Sequence, residues 1–160
     1  MKSIDLSIGI KRKVFNTCVL PCITYGCETW ALTKHHRNML EHCQRAMERS
    51  MIGIKKEDKI QNTVIRSKTK VTDVLIRIDS LKWRWTGHLL RGTQEKWSNI
   101  ITDWYPREGR RNRGRQSKRW EDELKLTAGP KWRRVARDRV QWKLLEEAFA
   151  KKHTELRDIL

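Results

Sequence analysis

Thr72-Asp73-Val74-Leu75-Ile76-Arg77-Ile78-Asp79-Ser80-Leu81-Lys82-Trp83-Arg84-Trp85-Thr86-Gly87-His88-Leu89-Leu90-Arg91 is the stretch on which the fold turns. At helical spacing, Val74, Ile78, Leu81, Trp85 and Leu89 form one apolar stripe, and Ile76, Trp83, Gly87 and Leu90 form a second. A helix with two such stripes is expected to be packed on two sides. Gly87 costs about 1 kcal/mol of helix propensity relative to Ala, and close approach of another backbone would account for its use. The remaining arc carries Arg77, Arg84, His88 and Arg91, a basic edge expected to face outward.

Further helices are predicted on either side. Apolar and polar residues alternate at helical spacing from about Ile8 to Thr24, where Pro21 should kink or end the helix early and Tyr25-Gly26 stop it. A longer helix runs from about Thr33, its expected N-cap, to Ile52, with Gly53 closing it. Met39, Leu40, Cys43, Ala46, Met47, Ser50 and Met51 fall on its apolar arc, with Lys34, Arg37, Glu41, Arg45 and Glu48 opposite. Asn62 is placed to cap a short helix through Val64 and Ile65. Downstream, Ser117 can cap a helix through Lys125, with Glu121, Asp122 and Glu123 near its positive end. Ala128-Gly129-Pro130 breaks the chain before a last helix from about Lys131 to His153, expected to bury Val135, Trp142, Leu145 and Phe149. The fold class is therefore mainly α: small helical bundles over residues 1–92 and 117–160, joined through a long basic Gly/Arg-rich loop at 93–116.

Composition narrows the partner. The 160 residues carry 36 Lys and Arg against 19 Asp and Glu, a net charge of +17. That charge repels itself without a counter-charge and points to nucleic acid ahead of anionic membrane. Hydrophobic content of 38% is low for a core, and eight Trp partly compensate because each buries a large area. No run approaches the roughly 18 to 20 apolar residues of a membrane span. The early acid in Met1-Lys2-Ser3-Ile4-Asp5, with no apolar core after it, argues against a signal peptide.

The charge is concentrated in Gly109-Arg110-Arg111-Asn112-Arg113-Gly114-Arg115-Gln116-Ser117-Lys118-Arg119-Trp120, with six cations and no acid before Glu121. Arg110, Arg111, Arg113, Arg115, Lys118 and Arg119 are the candidates for phosphate contact, with Trp120 stacking on a base or anchoring the loop. Arg77, Arg84, His88 and Arg91 form a second candidate surface. No metal or catalytic constellation competes with this. Cys18, Cys22, Cys27 and Cys43 read better as reduced thiols, with Cys18 and Cys43 on apolar helix faces, than as zinc ligands. His35-His36 lacks the partners of a histidine nuclease, and Glu121-Asp122-Glu123 suits a helix dipole better than Mg²⁺. Neither a Gly-rich phosphate loop nor a nucleophile elbow is present.

A series of short motifs also resembles the region after the polymerase core of non-LTR (LINE-like) retrotransposon reverse transcriptases. Tyr25-Gly26-Cys27-Glu28-Thr29-Trp30-Ala31-Leu32-Thr33 is similar to their YG-x-E-x-W-x-L segment, and Cys43 to Ile54 to the helix that follows it. Leu81-Lys82-Trp83-Arg84-Trp85-Thr86-Gly87-His88-Leu89-Leu90-Arg91 resembles L-x-W-x-GH-x-x-R. Gly109 to Arg115 with Arg119-Trp120-Glu121-Asp122 resembles GKR-x-RGRP-x-x-RW-x-D, with Gln116 where the family has Pro. Trp132, Ala136-Arg137-Asp138-Arg139 and Trp142 resemble the closing W-x-x-x-A-x-DR-x-x-W. The likeness runs over about residues 8 to 150.

The resemblance implies a right-hand polymerase whose palm holds Mg²⁺ on a Tyr/Phe-Ala-Asp-Asp motif. This chain contains no Asp-Asp pair. It is thus expected to correspond to the thumb and post-thumb C-terminal portion, non-catalytic by itself and without a cofactor of its own. By the same resemblance it would bind template-primer duplex, element RNA or target DNA, inside the cell and in the nucleus after passage through the cytoplasm. Two alternatives are an autonomous, host-co-opted chromatin- or RNA-binding protein and a zinc-stapled structural module.

Overall fold

The computed structural model describes residues 6–92, 97, 100, 102 and 119–155, the last four of these by backbone alone, and every regular element among them is helical. In chain order these are α1 (Ile8–Val14), a π-turn (Phe15–Val19), α2 (Leu20–Ile23), α3 (Lys34–Met51), α4 (Asn62–Thr69) and α5 (Val74–Arg91). After them come α6 (Asp122–Ala128), α7 (Trp132–Arg137), α8 (Arg139–Leu144) and α9 (Glu146–Glu155). Short 3-10 turns occupy Cys27–Thr29 and Lys56–Asp58. The described residues fall into two compact units, one within Met1–Gly26 and Lys34–Arg77, the other within Cys27–Thr33 and Ile78–Leu160. The expected mainly α fold is what the chain adopts. The division falls inside α5, which gives its first turn to one unit and the remainder to the other.

In the first unit, Pro21 does not end the helix. The preceding turn widens instead, so that the Leu20 N–H donates to Phe15 O, and the helical path continues to Ile23. A π-turn of this kind frees the carbonyl that the proline ring would otherwise strike. The larger surprise is α3. Its predicted apolar arc is not the buried one: Met39 is 56% exposed, and Cys43, Ala46 and Ser50 are exposed as well. Arg37, Gln44 and Glu48 are buried in their place.

The reason lies in the ends of the neighbouring helices. Gln44 Oε1 accepts from Val74 N at 2.7 Å, and its Nε2 donates to Glu48 at 2.9 Å and to Thr72 O at 3.2 Å. Glu48 accepts from the buried Thr69 hydroxyl at 2.8 Å. The Arg12 guanidinium donates to Thr69 O at 2.6 Å, Lys11 Nζ to Met51 O at 3.0 Å, and Asn16 Oδ1 accepts from Thr72 N at 3.1 Å. Helix termini leave backbone donors and acceptors unpaired, and these long polar side chains satisfy them. A face selected to do that work must be polar. Asp73 caps α5, its Oδ1 accepting from Leu75 N and Ile76 N while Oδ2 pairs with Arg66. Asn62 is the first residue of α4; Gln61 holds the cap position and makes no side-chain cap bond.

The second unit has a core built on tryptophan. Trp83, Leu124, Trp132, Ala136, Trp142 and Phe149 are buried together, with Leu90, Trp120, Val135 and Leu145 packed against them. Trp83 and Trp142 stack with centroids 3.6 Å apart and planes 4° from parallel. Each indole N–H donates to the other residue's carbonyl, at 2.7 and 2.8 Å. Stacking of this closeness needs room beside α5, and Gly87 provides it: a Cβ there would lie 2.5 Å from Trp142 Cδ1. A close approach at Gly87 is thus present, but a side chain, the Trp142 indole, makes it and not the backbone that the sequence led one to expect.

Two predicted boundaries move in this unit. The single helix expected over 131–153 is three pieces, interrupted at Asp138 and again at Leu145; Asp138 leaves the helical region at φ −81°, ψ 108° and accepts from Val140 N and Gln141 N as the cap of α8. That break turns Trp142 into the core while Trp132, Ala136 and Phe149 stay buried with it. The helix expected from Ser117 begins only at Asp122, whose carboxylate accepts from Arg119 N at 2.7 Å; Ser117 itself lies outside the described residues. Gly129, at φ 78°, makes the expected break after α6.

Candidate nucleic-acid interface

Arg110, Arg111, Arg113, Arg115 and Lys118 lie outside the described residues. The end of the basic run does not. Arg119 is half-buried, and so is Trp120 after it, which packs against the core of the second unit. Its Nε1 donates to Glu28 O at 2.6 Å, it meets Trp85 and Trp132 edge-on at 5.8 and 6.4 Å, and Lys82 Nζ stands 5.1 Å from its centroid. These contacts make Trp120 part of the packing of the second unit.

Lys82 is a residue the sequence reading passed over. It is buried to 1% exposure in the middle of α5, where its ammonium pairs with the equally buried Glu123 at 3.0 Å and donates to Trp30 O at 3.3 Å. An isolated buried ion pair gains little net stability, and removal of one partner alone is costly. The pair joins α5, α6 and the segment after Cys27 within the second unit. A lysine set between Leu81 and Trp83, with Glu123 in a cluster assigned to the helix dipole, was the available signal. It needed the fold to connect the two.

The basic edge of α5 is distributed differently from its description as one surface. Arg77 is half-buried in the first unit, while Arg84, His88 and Arg91 are exposed in the second. Arg84 Nε pairs with Glu146 at 2.5 Å and Arg91 Nη1 donates to Ala136 O at 2.8 Å. These two arginines fasten α9 and α7 to α5, keeping only part of their hydrogen-bonding capacity for a ligand. His88 projects between them into solvent.

The cysteines also depart from expectation. Cys27 is fully buried, as a core thiol should be, but Cys18, Cys22 and Cys43 are exposed. Cys43 shares the solvent side of α3 with Met39, and Cys18 follows the π-turn register rather than the regular helix. Among the described residues, no three or more His, Cys, Asp and Glu side chains come together as a metal site, and no helix is long and apolar enough to cross a membrane.

A second basic cluster, unforeseen as a unit, lies in the first unit. His42, Arg45, Arg49, Lys56 and Asn62 line a cavity of about 430 Å³. The first three follow one another along a single face of α3.

Comparison with known proteins places these residues in a broader setting. Over 146 residues the chain is 29% identical to an uncharacterised transposon-derived protein of Caenorhabditis elegans, a match covering 83% of this chain and 52% of the relative. The chain therefore spans about half the length of the curated relative it matches. That similarity is consistent with a transposable-element origin. No family model matches the sequence, and no solved structure matches it.

Proposed function

We propose that this chain is a nucleic-acid-binding C-terminal portion of a LINE-like RNA-directed DNA polymerase, holding nucleic acid without copying it. The observation that carries this reading is where the family-like motifs meet. Trp83 and Gly87 of the L-x-W-x-GH-like segment pack on Trp142 of the closing segment, beside Trp132 and Ala136. Asp138 of that closing segment caps the helix that delivers Trp142. Trp30, from the YG-x-E-x-W-like segment, accepts from Lys82 through its carbonyl, and Glu28 accepts from Trp120. Described residues from four of the five resembling segments are thus mutual partners within the second unit, which supports a shared architecture rather than a set of chance matches. The transposon-derived relative supports the same origin.

In this reading the core is scaffold and the ligand-facing chemistry is the arginine run from 110 to 119. Arg forms bidentate bonds to phosphate, and the Trp120 anchor fixes where the run leaves the folded unit. The sequence has no Asp-Asp pair, and in this reading Mg²⁺ would be bound by the palm of the parent polymerase. Binding of RNA/DNA hybrid, duplex DNA and single-stranded RNA across a salt series tests the reading. Neutralising some six phosphates makes log affinity fall with log salt at a slope of roughly −5, and replacing Arg110, Arg111, Arg113 and Arg115 by Gln should flatten it by about three to four. A salt-independent affinity would overturn the binding role. Primer extension by the isolated chain would overturn its assignment as non-catalytic.

A further inference from the structure

The cavity of the first unit is lined by His42, Arg45, Arg49, Lys56 and Asn62, and no acidic side chain is among these lining groups. Three features hold it in shape. Residues 42, 45 and 49 are successive positions on one face of α3, so their side chains rise side by side. The chain then turns back sharply: Ile54 N donates to Arg49 O at 3.0 Å and Gly53 N to Ser50 O at 3.3 Å, with Gly53 at φ 69°. That pairing is a Schellman turn, closed by a residue in the left-handed region where glycine is favoured. Finally, Lys55 N donates to Asp58 Oδ2 at 2.8 Å and Asp58 N to Lys55 O at 3.3 Å, bracing the short turn that carries Lys56.

Asn62 completes the lining as the first residue of α4, an eight-residue helix whose cap residue Gln61 makes no side-chain cap bond. The pocket therefore gathers two guanidinium groups, an ammonium, an imidazole and an amide, the last from the first turn of α4. Arg45 is steadied by Glu41 at 3.2 Å, one helical turn back. Among the described residues no carboxylate forms an ion pair with Arg49 or Lys56. A carboxylate ligand would leave most of these donors unused, whereas a phosphoryl group offers several oxygens with a planar fork and a point charge to meet them.

We propose that this pocket is a phosphate-binding site in its own right, separate from the arginine run. Its phosphoryl group comes from either of two sources: an internal phosphodiester of a nucleic-acid strand or a terminal phosphomonoester. The site stands on the pocket geometry alone and does not require the basic run to bind anything. Arg49 and Lys56 are the main cationic anchors for the anion, Arg45 is oriented by Glu41, and Asn62 donates from its amide.

The test is amide chemical-shift mapping on the isotopically labelled full chain, titrated with inorganic phosphate, a 5′-phosphorylated trinucleotide and the same trinucleotide with a 5′-hydroxyl. Matched additions of sodium chloride correct for ionic strength. The expected result is saturable movement of the amides at 45, 49, 56 and 62 with phosphate and with at least one trinucleotide. Movement with both trinucleotides identifies the phosphodiester as source, and movement with the 5′-phosphorylated one alone identifies the monoester. Arg49→Gln should weaken this binding roughly tenfold or more, and Arg49→Lys less, with circular dichroism unchanged in both. Arg110→Gln with Arg111→Gln should leave it untouched, so failure here and failure of the basic run are separately visible. Shifts that sodium chloride reproduces, or that persist in full in folded Arg49→Gln, would overturn the proposal.

Discussion

Gly87 illustrates how a single atom decides packing. Alanine would gain about 1 kcal/mol of helix propensity at this position. Its Cβ would nevertheless meet Trp142 Cδ1 at 2.5 Å, Trp142 Nε1 at 2.6 Å and Arg91 Nη1 at 2.8 Å. The arginine end can move; the stacked, doubly hydrogen-bonded indole cannot. Gly87→Ala should therefore lower stability by about 1 to 3 kcal/mol, the usual range for overpacking, as read from urea denaturation with tryptophan fluorescence. An unchanged or raised midpoint would show that the indole pair is looser than its geometry. Lys82 and Glu123 make a second prediction at this scale. Lys82→Met or Glu123→Leu alone strands a buried charge and should cost about 3 to 5 kcal/mol. The double variant should recover most of that loss, short of full recovery because Trp30 O loses its donor. A double-mutant cycle measures the difference. Gly87 could be suspected from sequence because a glycine in a helix is an anomaly without any partner being known. Lys82 could not, since its partner lies 41 residues away.

Helix placement follows the same division between near and distant causes. α3 and α5 fall where periodicity put them, because spacing along ten or more residues is a local property. Which side of α3 turns inward is not local. Its Gln44 and Glu48 serve backbone groups of Thr72, Val74 and the Thr69 side chain, 21 to 30 residues on. Hydrophobicity alone chose the wrong side because the first unit joins its helices through their polar termini. Asp138 is a case in which a local signal was present and outweighed by the pattern around it. An aspartate before a helical stretch is a cap signature, yet the apolar spacing from Val135 to Phe149 reads as one helix. Asp138→Ala removes the acceptor for Val140 N and Gln141 N and should cost about 1 kcal/mol, whereas Asp138→Asn, which can still cap, should cost less. Thermal denaturation of the two variants checks this order, and equal losses would assign Asp138 some other role.

At the scale of the molecule, a charge of +17 meets two cores of different kinds. The first unit combines buried apolar side chains such as Phe15, Leu20 and Ile65 with polar ones that satisfy helix ends; the second is built on Trp83, Trp132 and Trp142. Self-repulsion at low ionic strength should depress the melting temperature, so adding salt from about 0.01 M to about 0.15 M, without nucleic acid, should raise it. Scanning fluorimetry over that series checks the sign, and a falling melting temperature would mean that internal ion pairs such as Arg84–Glu146 outweigh the repulsion. Net charge, the arginine run, the helical class and the anomaly of Gly87 are all properties of composition or of neighbours in sequence. They need no tertiary contact to exist, so the chain displays them directly. The Trp83–Trp142 pair, the buried Lys82–Glu123 bridge, the inward polar face of α3 and the cationic pocket behind Gly53 are different. Each arises from groups brought together only when distant segments close on one another. The physical cause is that burial, hydrogen-bond satisfaction and local charge density depend on the partner as much as on the residue.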